Sequence, residues 1–164
     1  MITSPVLILA TATAIASAAV GGLFYAFSTF VMRGLDRTEP ARAITAMRGI
    51  NAEAQANAPF LLLFLGSAVL AAALAIVAVI QLREPGSGYL LAGALLAIIA
   101  LIVTMALNVP LNNRLDAIDP AALAPADAAR EWANYLSTWT AWNHVRTVAP
   151  LLGSLLMLIG LRYR

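Results

Sequence analysis

The chain has 164 residues, of which 62% are hydrophobic and 11% are charged, whereas soluble globular domains average about 45–50% apolar and about 25% charged residues. This composition predicts a single-domain integral membrane protein. It excludes a soluble Rossmann enzyme, a secreted disulfide scaffold and a nucleic-acid-binding domain. The chain has no cysteine, which also excludes thiol catalysis, disulfides and thiolate metal sites.

The charge pattern predicts how the chain sits in its membrane. Ten arginines and no lysine stand against eight acids, a net charge of +2, which is too small for a nucleic-acid partner. Cytoplasmic loops of membrane proteins are enriched in basic residues. Here the arginines cluster after the first and third apolar stretches, at Arg33, Arg37, Arg42, Arg48, Arg114 and Arg130, against Arg83, Arg162 and Arg164 on the other side. We therefore expect the first and third connections to lie in the cytoplasm and both the N and C termini to lie outside. The membrane is expected to be a bacterial inner membrane.

The apolar stretches give the number of spans. Val6–Met32, Ala58–Leu82 and Tyr89–Leu107 contain no formal charge over 27, 25 and 19 residues, and about 20 apolar residues cross a bilayer. The last apolar run, Val148–Leu161, has only 14 residues, so the fourth span has to begin near Trp139. We predict an all-α four-helix membrane bundle in one domain, residues 1–164, with spans at about 6–32, 58–82, 89–109 and 139–161.

The first span has one alternative interpretation, because Ala16-Ser17-Ala18 resembles the cleavage site of a signal peptide at Met1–Val20. The absence of a basic residue before Arg33 and the length of the apolar run favour a retained membrane helix.

Small residues at steps of four in the first span predict a packing seam within the bundle, with a homo-oligomer interface as the alternative. These residues are Ala10, Ala14, Ala18, Gly22 and Ala26.

The second span is preceded by a further helical segment. Thr38-Glu39-Pro40 is typical of a helix start, and a continuous helix from there to Leu82 would be about 65 Å long, more than a bilayer is thick. We predict that Pro40–Asn57 forms a cytoplasmic helical extension before helix two, with a break near Pro59. Helix three is expected to end near Pro110, and Asp127 to cap the last helix.

Polar residues concentrate where helix one ends, helix two starts, helix three ends and helix four starts. An antiparallel bundle brings these four segments to one side of the membrane. We therefore predict that Asn51, Asn108, Asn143 and Arg146 line one cavity in the cytoplasmic half. The alternatives are interhelical hydrogen bonding for the amides, an interfacial aromatic belt for the tryptophans, snorkelling for Arg146 and simple packing for His144.

Residue counts exclude the common metal centres. The predicted spans contain no Asp or Glu, and the chain has one histidine. Di-iron, zinc and two-His-one-carboxylate iron sites all need more ligands than this. No metal and no other cofactor is predicted, and haem with His144 as one axial ligand is the alternative.

Four segments together resemble the anthrone oxygenase-like family of small four-helix membrane proteins, over essentially the whole chain. They are Gly21-Gly22-Leu23-Phe24-Tyr25-Ala26-Phe27-Ser28 with Val31-Met32, Met47 to Asn51 leading to Asn57-Ala58-Pro59-Phe60, Asn108-Val109-Pro110-Leu111-Asn112, and Trp139 with Trp142-Asn143 and Arg146-Thr147. The resemblance implies a monooxygenase, an oxidoreductase that uses molecular oxygen to convert a lipophilic polycyclic phenol, anthrone or quinol, as in aromatic polyketide synthesis. Such a carbon acid can react with oxygen without a metal.

The resemblance also implies roles for the polar residues. Arg146 and Asn143 would hold the phenolate or enolate oxygen, and Trp139 and Phe24 would flank the aromatic plane. His144 or Tyr25 would act as the base. The ring hydroxyls would be bound by Asn51, Gln55, Asn108 and Asn112.

Two other functions remain open at this point. The first is a non-catalytic membrane protein that binds quinone or haem, with His144 as a ligand. The second is an accessory scaffold subunit whose polar face meets another membrane protein. An absorption spectrum of the purified protein distinguishes a haem-binding protein from an oxygenase without haem.

Overall fold

The computed structural model describes residues 4–164; Met1 to Thr3, which begin the signal-peptide alternative, lie outside the described residues. The described chain is helical and contains no strand, which confirms the all-α prediction. Its helices are α1 (Pro5–Asp36), α2 (Pro40–Ala56), α3 (Ala58–Ile80), α4 (Ser87–Asp116) and α5 (Pro125–Arg162). Two helices contain a wider π-helical turn, at Phe27–Val31 in α1 and at Thr104–Asn108 in α4.

Four of these helices are long and apolar enough to cross a membrane. The most apolar segments of α1, α3, α4 and α5 have mean hydropathies of 2.0, 2.7, 2.8 and 1.5. The protein is an integral membrane four-helix bundle, as predicted. Ser4 and Arg164 lie at one end of the bundle, which we call the terminal end. Asp36, α2 and Asp116 lie at the other, which we call the polar end.

Helix α5 packs against both α1 and α4 along most of its length. It approaches α4 closely at Gly93 and Gly153, where a methyl group on either residue would lie 2.6 Å from the carbonyl oxygen of the other. Membrane helices approach this closely through small residues, because no side chain separates their backbones. The two glycines therefore set the distance between α4 and α5.

The packing seam on α1 differs from the predicted row of small residues. An α-helix has 3.6 residues per turn, so successive steps of four rotate steadily away from a neighbouring helix. Gly22 of the predicted row is exposed, and Gly21 packs against Leu151 instead. The buried seam alternates steps of four and three, through Ala10, Ala14, Ser17, Gly21, Phe24 and Ser28.

The predicted helical extension is present as α2, and the helix breaks where expected. Asn57 has extended backbone geometry, with φ −83° and ψ 100°, and its side chain accepts a hydrogen bond from the Phe60 amide at 2.9 Å. The extension does not simply project from the bundle. Its buried face, including Ile44 and Met47, packs against Trp132 of α5, because these apolar side chains recur at helical spacing.

Two predicted boundaries near the polar end are wrong. Helix α4 continues past Pro110 to Asp116, because the π-helical turn ends just before and Pro110 opens a renewed α-helical segment. Asp127 does not cap α5, which begins at Pro125. Its carboxylate instead pairs with Arg130 at 2.8 Å.

Candidate functional site

The two π-helical turns bring polar side chains from α1 and α4 onto the middle of α5. Ser28 belongs to the turn in α1, and Thr104 and Asn108 belong to the turn in α4. Each of the three contacts a residue of α5. A π-helical turn changes where the following side chains point and often accompanies a functional site.

Arg146 lies at the centre of this polar region and is only 4% exposed. Its Nε donates to Oδ1 of Asn143 at 3.0 Å, and its Nη1 donates to Oγ1 of Thr104 at 3.2 Å. The guanidinium carbon lies 4.2 Å from the centre of the Phe24 ring and 4.6 Å from that of Trp139. The cation is therefore fixed by two hydrogen bonds and two aromatic rings.

No carboxylate among residues 4–164 comes within 4.0 Å of the Arg146 guanidinium. A buried charge without a counter-ion is costly, and each contact with an aromatic face offsets about 2 kcal/mol of that cost. A guanidinium carries five N–H donors, of which protein acceptors take two in the described chain. The remaining donors suit an anionic oxygen, which arginine binds strongly.

Asn143 connects Arg146 to α1 and is 0% exposed. Its Nδ2 donates to the backbone oxygen of Phe24 at 2.8 Å and to Oγ of Ser28 at 2.8 Å. Its Oδ1 accepts from Arg146. The amide thus holds the guanidinium in one orientation and ties α5 to the π-helical turn of α1.

Three hydroxyls of this network were given no role by sequence reasoning. Ser28 Oγ lies 3.0 Å from Nδ1 of His144 and 3.1 Å from Oγ1 of Thr147. Thr104 binds Arg146, as described above. A sequence signal did exist for Thr104, because it is the one hydroxyl in the apolar run from Leu90 to Leu107.

Asn112 supports the aromatic side of the site. Its Oδ1 accepts from Nε1 of Trp139 at 2.8 Å and from the hydroxyl of Tyr135 at 2.9 Å. Trp132, Tyr135 and Trp139 form a column with ring centres 5.9 and 6.2 Å apart. Trp132 and Trp139 are buried, so of the three tryptophans only Trp142 is exposed as the aromatic-belt alternative requires.

Two further amides carry buried atoms with no hydrogen-bond partner in the described protein. They are Nδ2 of Asn51 and Oδ1 of Asn108. The other end of the Asn108 amide donates to the backbone oxygen of Trp139 at 3.2 Å. Since buried polar atoms are normally partnered, one donor and one acceptor remain free for water or a ligand.

The structure does not bring Tyr25 and Gln55 into this network. Tyr25 is 55% exposed, because it follows Phe24 and each helical residue turns by about 100°. Gln55 is exposed on α2 and donates to the backbone oxygen of Asn51 at 3.3 Å. His144 is exposed too, yet its ring reaches Ser28, which its position beside Asn143 did not predict.

A cavity of about 90 Å³ at the polar end borders the aromatic column. Its lining includes Tyr135, Leu111 and Thr138 but none of the four residues predicted to share a cavity. Within residues 4–164 no group of three or more His, Cys, Asp and Glu side chains could hold a metal ion.

The family comparison covers the half of the site that α4 and α5 supply. A family model described as anthrone oxygenase matches residues 60–156, which is more than half of the chain. The match contains Asn108, Asn112, Trp139, Asn143 and Arg146. No curated protein and no solved structure matches the chain. The matched region holds most of the site formed by the arginine, the amides and Trp139. The chain belongs to the anthrone oxygenase family.

Proposed function

We propose that this protein is a membrane oxygenase that oxidises a lipophilic anthrone, polycyclic phenol or quinol with molecular oxygen. Two findings support the proposal: membership of the anthrone oxygenase family and the buried guanidinium of Arg146, which has free donors and no carboxylate partner. The buried guanidinium of Arg146 is the observation on which the proposal mainly depends. A site that holds an unpaired cation in an apolar surrounding favours the charged form of a substrate that can become an anion.

The reaction of an anthrone balances without an external reductant. The ring methylene loses a proton, and the electron pair of that C–H bond stays on the substrate as an enolate. The enolate reacts with oxygen at the methylene carbon, which finally loses its second hydrogen and gains a C=O bond. One oxygen atom enters the anthraquinone, and the other leaves as water with the two hydrogens. The protein needs only to bind, orient and stabilise charge.

The contacts assign a role to each residue of the site. Arg146 binds the enolate or phenolate oxygen through its free N–H groups, and Asn143 holds the guanidinium in place. We assign Phe24 and Trp139 to holding the guanidinium as well, since both rings face it, rather than to flanking the substrate. The unpartnered atoms of Asn51 and Asn108 are candidates for binding ring hydroxyls.

We further propose that the polar end faces the cytoplasm of a bacterial inner membrane and that both termini lie outside. Six of the ten arginines belong to the segments at the polar end, and only three belong to the segments at the terminal end. The positive-inside rule supports this orientation. The site then lies in the cytoplasmic half of the bilayer, where a lipophilic substrate can enter from the lipid.

Oxygen uptake by the purified protein in nanodiscs tests the proposed function. Hydroxylated anthrones and hydroquinones are supplied, and the protein-free oxidation rate is subtracted. We expect one O₂ consumed per anthrone, with one atom of ¹⁸O₂ in the quinone and the other in water. Arg146→Gln should lose at least about tenfold of the activity, whereas Arg42→Gln, at an 81% exposed side chain, should retain it. No uptake above the protein-free rate with any compound would contradict the proposal.

One observation favours a second candidate, a non-catalytic protein that binds quinone or haem. The exposed His144 ring is held at Nδ1 by Ser28, and a ligating histidine is commonly oriented through its other nitrogen in this way. The chain has a single histidine, so one chain could supply one imidazole to haem. A haem or quinone absorption band that His144→Ala abolishes, in a protein without oxygen uptake, would support this candidate.

A further inference from the structure

The direction of each hydrogen bond around Asn143 follows from Arg146. The guanidinium Nε can only donate, so the atom of Asn143 that it contacts at 3.0 Å is the oxygen. The amide nitrogen therefore faces the backbone oxygen of Phe24 and the hydroxyl of Ser28, both at 2.8 Å. The Phe24 oxygen can only accept, which agrees with this orientation. Ser28 consequently accepts one hydrogen bond from Asn143.

The same reasoning continues from Thr147 to His144. Thr147 Oγ1 donates its only hydrogen to the backbone oxygen of Asn143 at 2.8 Å, so in its 3.1 Å contact with Ser28 it accepts. Ser28 has thereby used its own hydrogen, because a hydroxyl has one donor and two acceptor positions. Its 3.0 Å contact with Nδ1 of His144 is satisfied only if Nδ1 carries a hydrogen.

We propose that Ser28 is a positioning residue that holds His144 protonated at Nδ1, so that Nε2 is the atom that accepts the substrate proton. This inference rests on the proposed function and names the base for it. In the step, the substrate C–H bond breaks, its electron pair remains as the enolate, and an N–H bond forms at Nε2. The neutral imidazole becomes an imidazolium.

This arrangement lets the proton move without disturbing the buried network. Nδ1 donates to Ser28 in both the neutral and the charged ring, so protonation at Nε2 reverses no hydrogen bond. A site that needs no reorganisation during the reaction is the more effective catalyst. The same network joins the two charges that deprotonation creates, since Asn143 contacts both Arg146 and Ser28.

Nitrogen NMR tests the tautomer directly, because His144 is the only histidine in the chain. The protein is labelled with ¹⁵N-histidine and studied in nanodiscs at a pH where the ring is neutral. We expect a directly bonded hydrogen on Nδ1 and none on Nε2. Ser28→Ala should give a mixture of both tautomers, and Ser28→Thr should restore the wild-type pattern. A wild-type ring protonated at Nε2, or an unchanged ring in Ser28→Ala, would overturn the positioning role.

Oxygen uptake with an anthrone then tests Nε2 as the base. His144→Gln should lower kcat at least about tenfold. Ser28→Ala should lower it less, and Ser28→Thr should recover it. Ser67→Ala, which removes a buried hydroxyl of α3 bonded to Phe64, is the matched control. Wild-type uptake that His144→Gln leaves unchanged overturns the base while the proposed function stands. If the wild type oxidises no anthrone, both fall, and the NMR result still decides the role of Ser28.

Discussion

The indole N–H of Trp139 on α5 donates a 2.8 Å hydrogen bond to the side-chain oxygen of Asn112 on α4. The same oxygen accepts a second hydrogen bond, of 2.9 Å, from the hydroxyl of Tyr135. One amide of α4 therefore satisfies two buried donors of α5. The Trp139 ring also faces Arg146, so the Asn112 amide fixes the position of one aromatic ring of the proposed oxyanion site.

The shared acceptor predicts an asymmetry in stability. Asn112→Leu leaves two buried donors without an acceptor, at about 1–3 kcal/mol each. Tyr135→Phe removes one donor, and Asn112 keeps its bond to Trp139, so we expect a loss below about 1.5 kcal/mol. Thermal unfolding in detergent should therefore show a clearly larger decrease in Tm for the Asn112 variant. Equal decreases would mean that the two hydrogen bonds do not share one acceptor in the membrane.

The contact between Gly93 and Gly153 predicts that a single methyl group destabilises the bundle. In Gly153→Ala the methyl group would lie 2.6 Å from the Gly93 carbonyl oxygen, so the helices have to separate. We expect a loss of about 1–3 kcal/mol, as for other overpacked positions. Gly22→Ala is the control, since no atom lies within 4 Å of the methyl group that it adds. Equal Tm values for the two variants would show that α4 and α5 leave room for a methyl group between Gly93 and Gly153.

Phe24 should matter for activity through Arg146. Its ring centre lies 4.2 Å from the guanidinium carbon, and a desolvated cation–π contact contributes about 2 kcal/mol. We expect Phe24→Leu to lower kcat/KM for an anthrone at least about fivefold, because the guanidinium loses one of its two supports. Phe30→Leu on the same helix replaces an exposed ring and should have no effect. A fully active Phe24 variant would show that Trp139 alone positions the cation.

The proposed orientation in the membrane can be tested with single cysteines, because the chain has none of its own. Ala122→Cys lies in the loop between α4 and α5, and Pro85→Cys lies between α3 and α4. In intact cells a membrane-impermeant maleimide should label Cys at position 85 and leave position 122 unlabelled until the membrane is opened. The opposite pattern would place the polar end outside.

Sequence periodicity predicted the parts of the site that depend on one helix alone. Trp139, Asn143 and Arg146 follow each other at steps of four and three, and they do share the buried face of α5. The number of spans followed from apolar length in the same way. Both features depend on helix geometry and bilayer thickness, which vary little between membrane proteins.

The features that sequence reasoning missed depend on the π-helical turns and on how the helices align. A π-helical turn has no distinctive residue pattern, so the extension of α4 past Pro110 was not predicted. Such a turn also changes which residues face inward. For this reason Thr104 was overlooked, and Ser28 was given no role although it belongs to the motif Gly21–Ser28. Tyr25 lies before the π-helical turn, and it is exposed because one helical step of about 100° separates it from the buried Phe24.

Arg146→Lys separates an oxyanion-binding guanidinium from a cation that merely anchors the helix. Lysine keeps the charge, but it has no planar group to lie between Phe24 and Trp139, and one ammonium cannot reproduce the fixed geometry of the bonds to Asn143 and Thr104. We expect near wild-type Tm and at least about a tenfold loss of kcat/KM with an anthrone, equivalent to about 1.4 kcal/mol. Arg130→Lys, a partner of Asp127 at the exposed start of α5, should retain full activity. Full activity of Arg146→Lys would show that Arg146 only anchors the helix, and a strongly lowered Tm would show that it is a structural residue. Only a folded variant with impaired oxidation matches a guanidinium that recognises an anion.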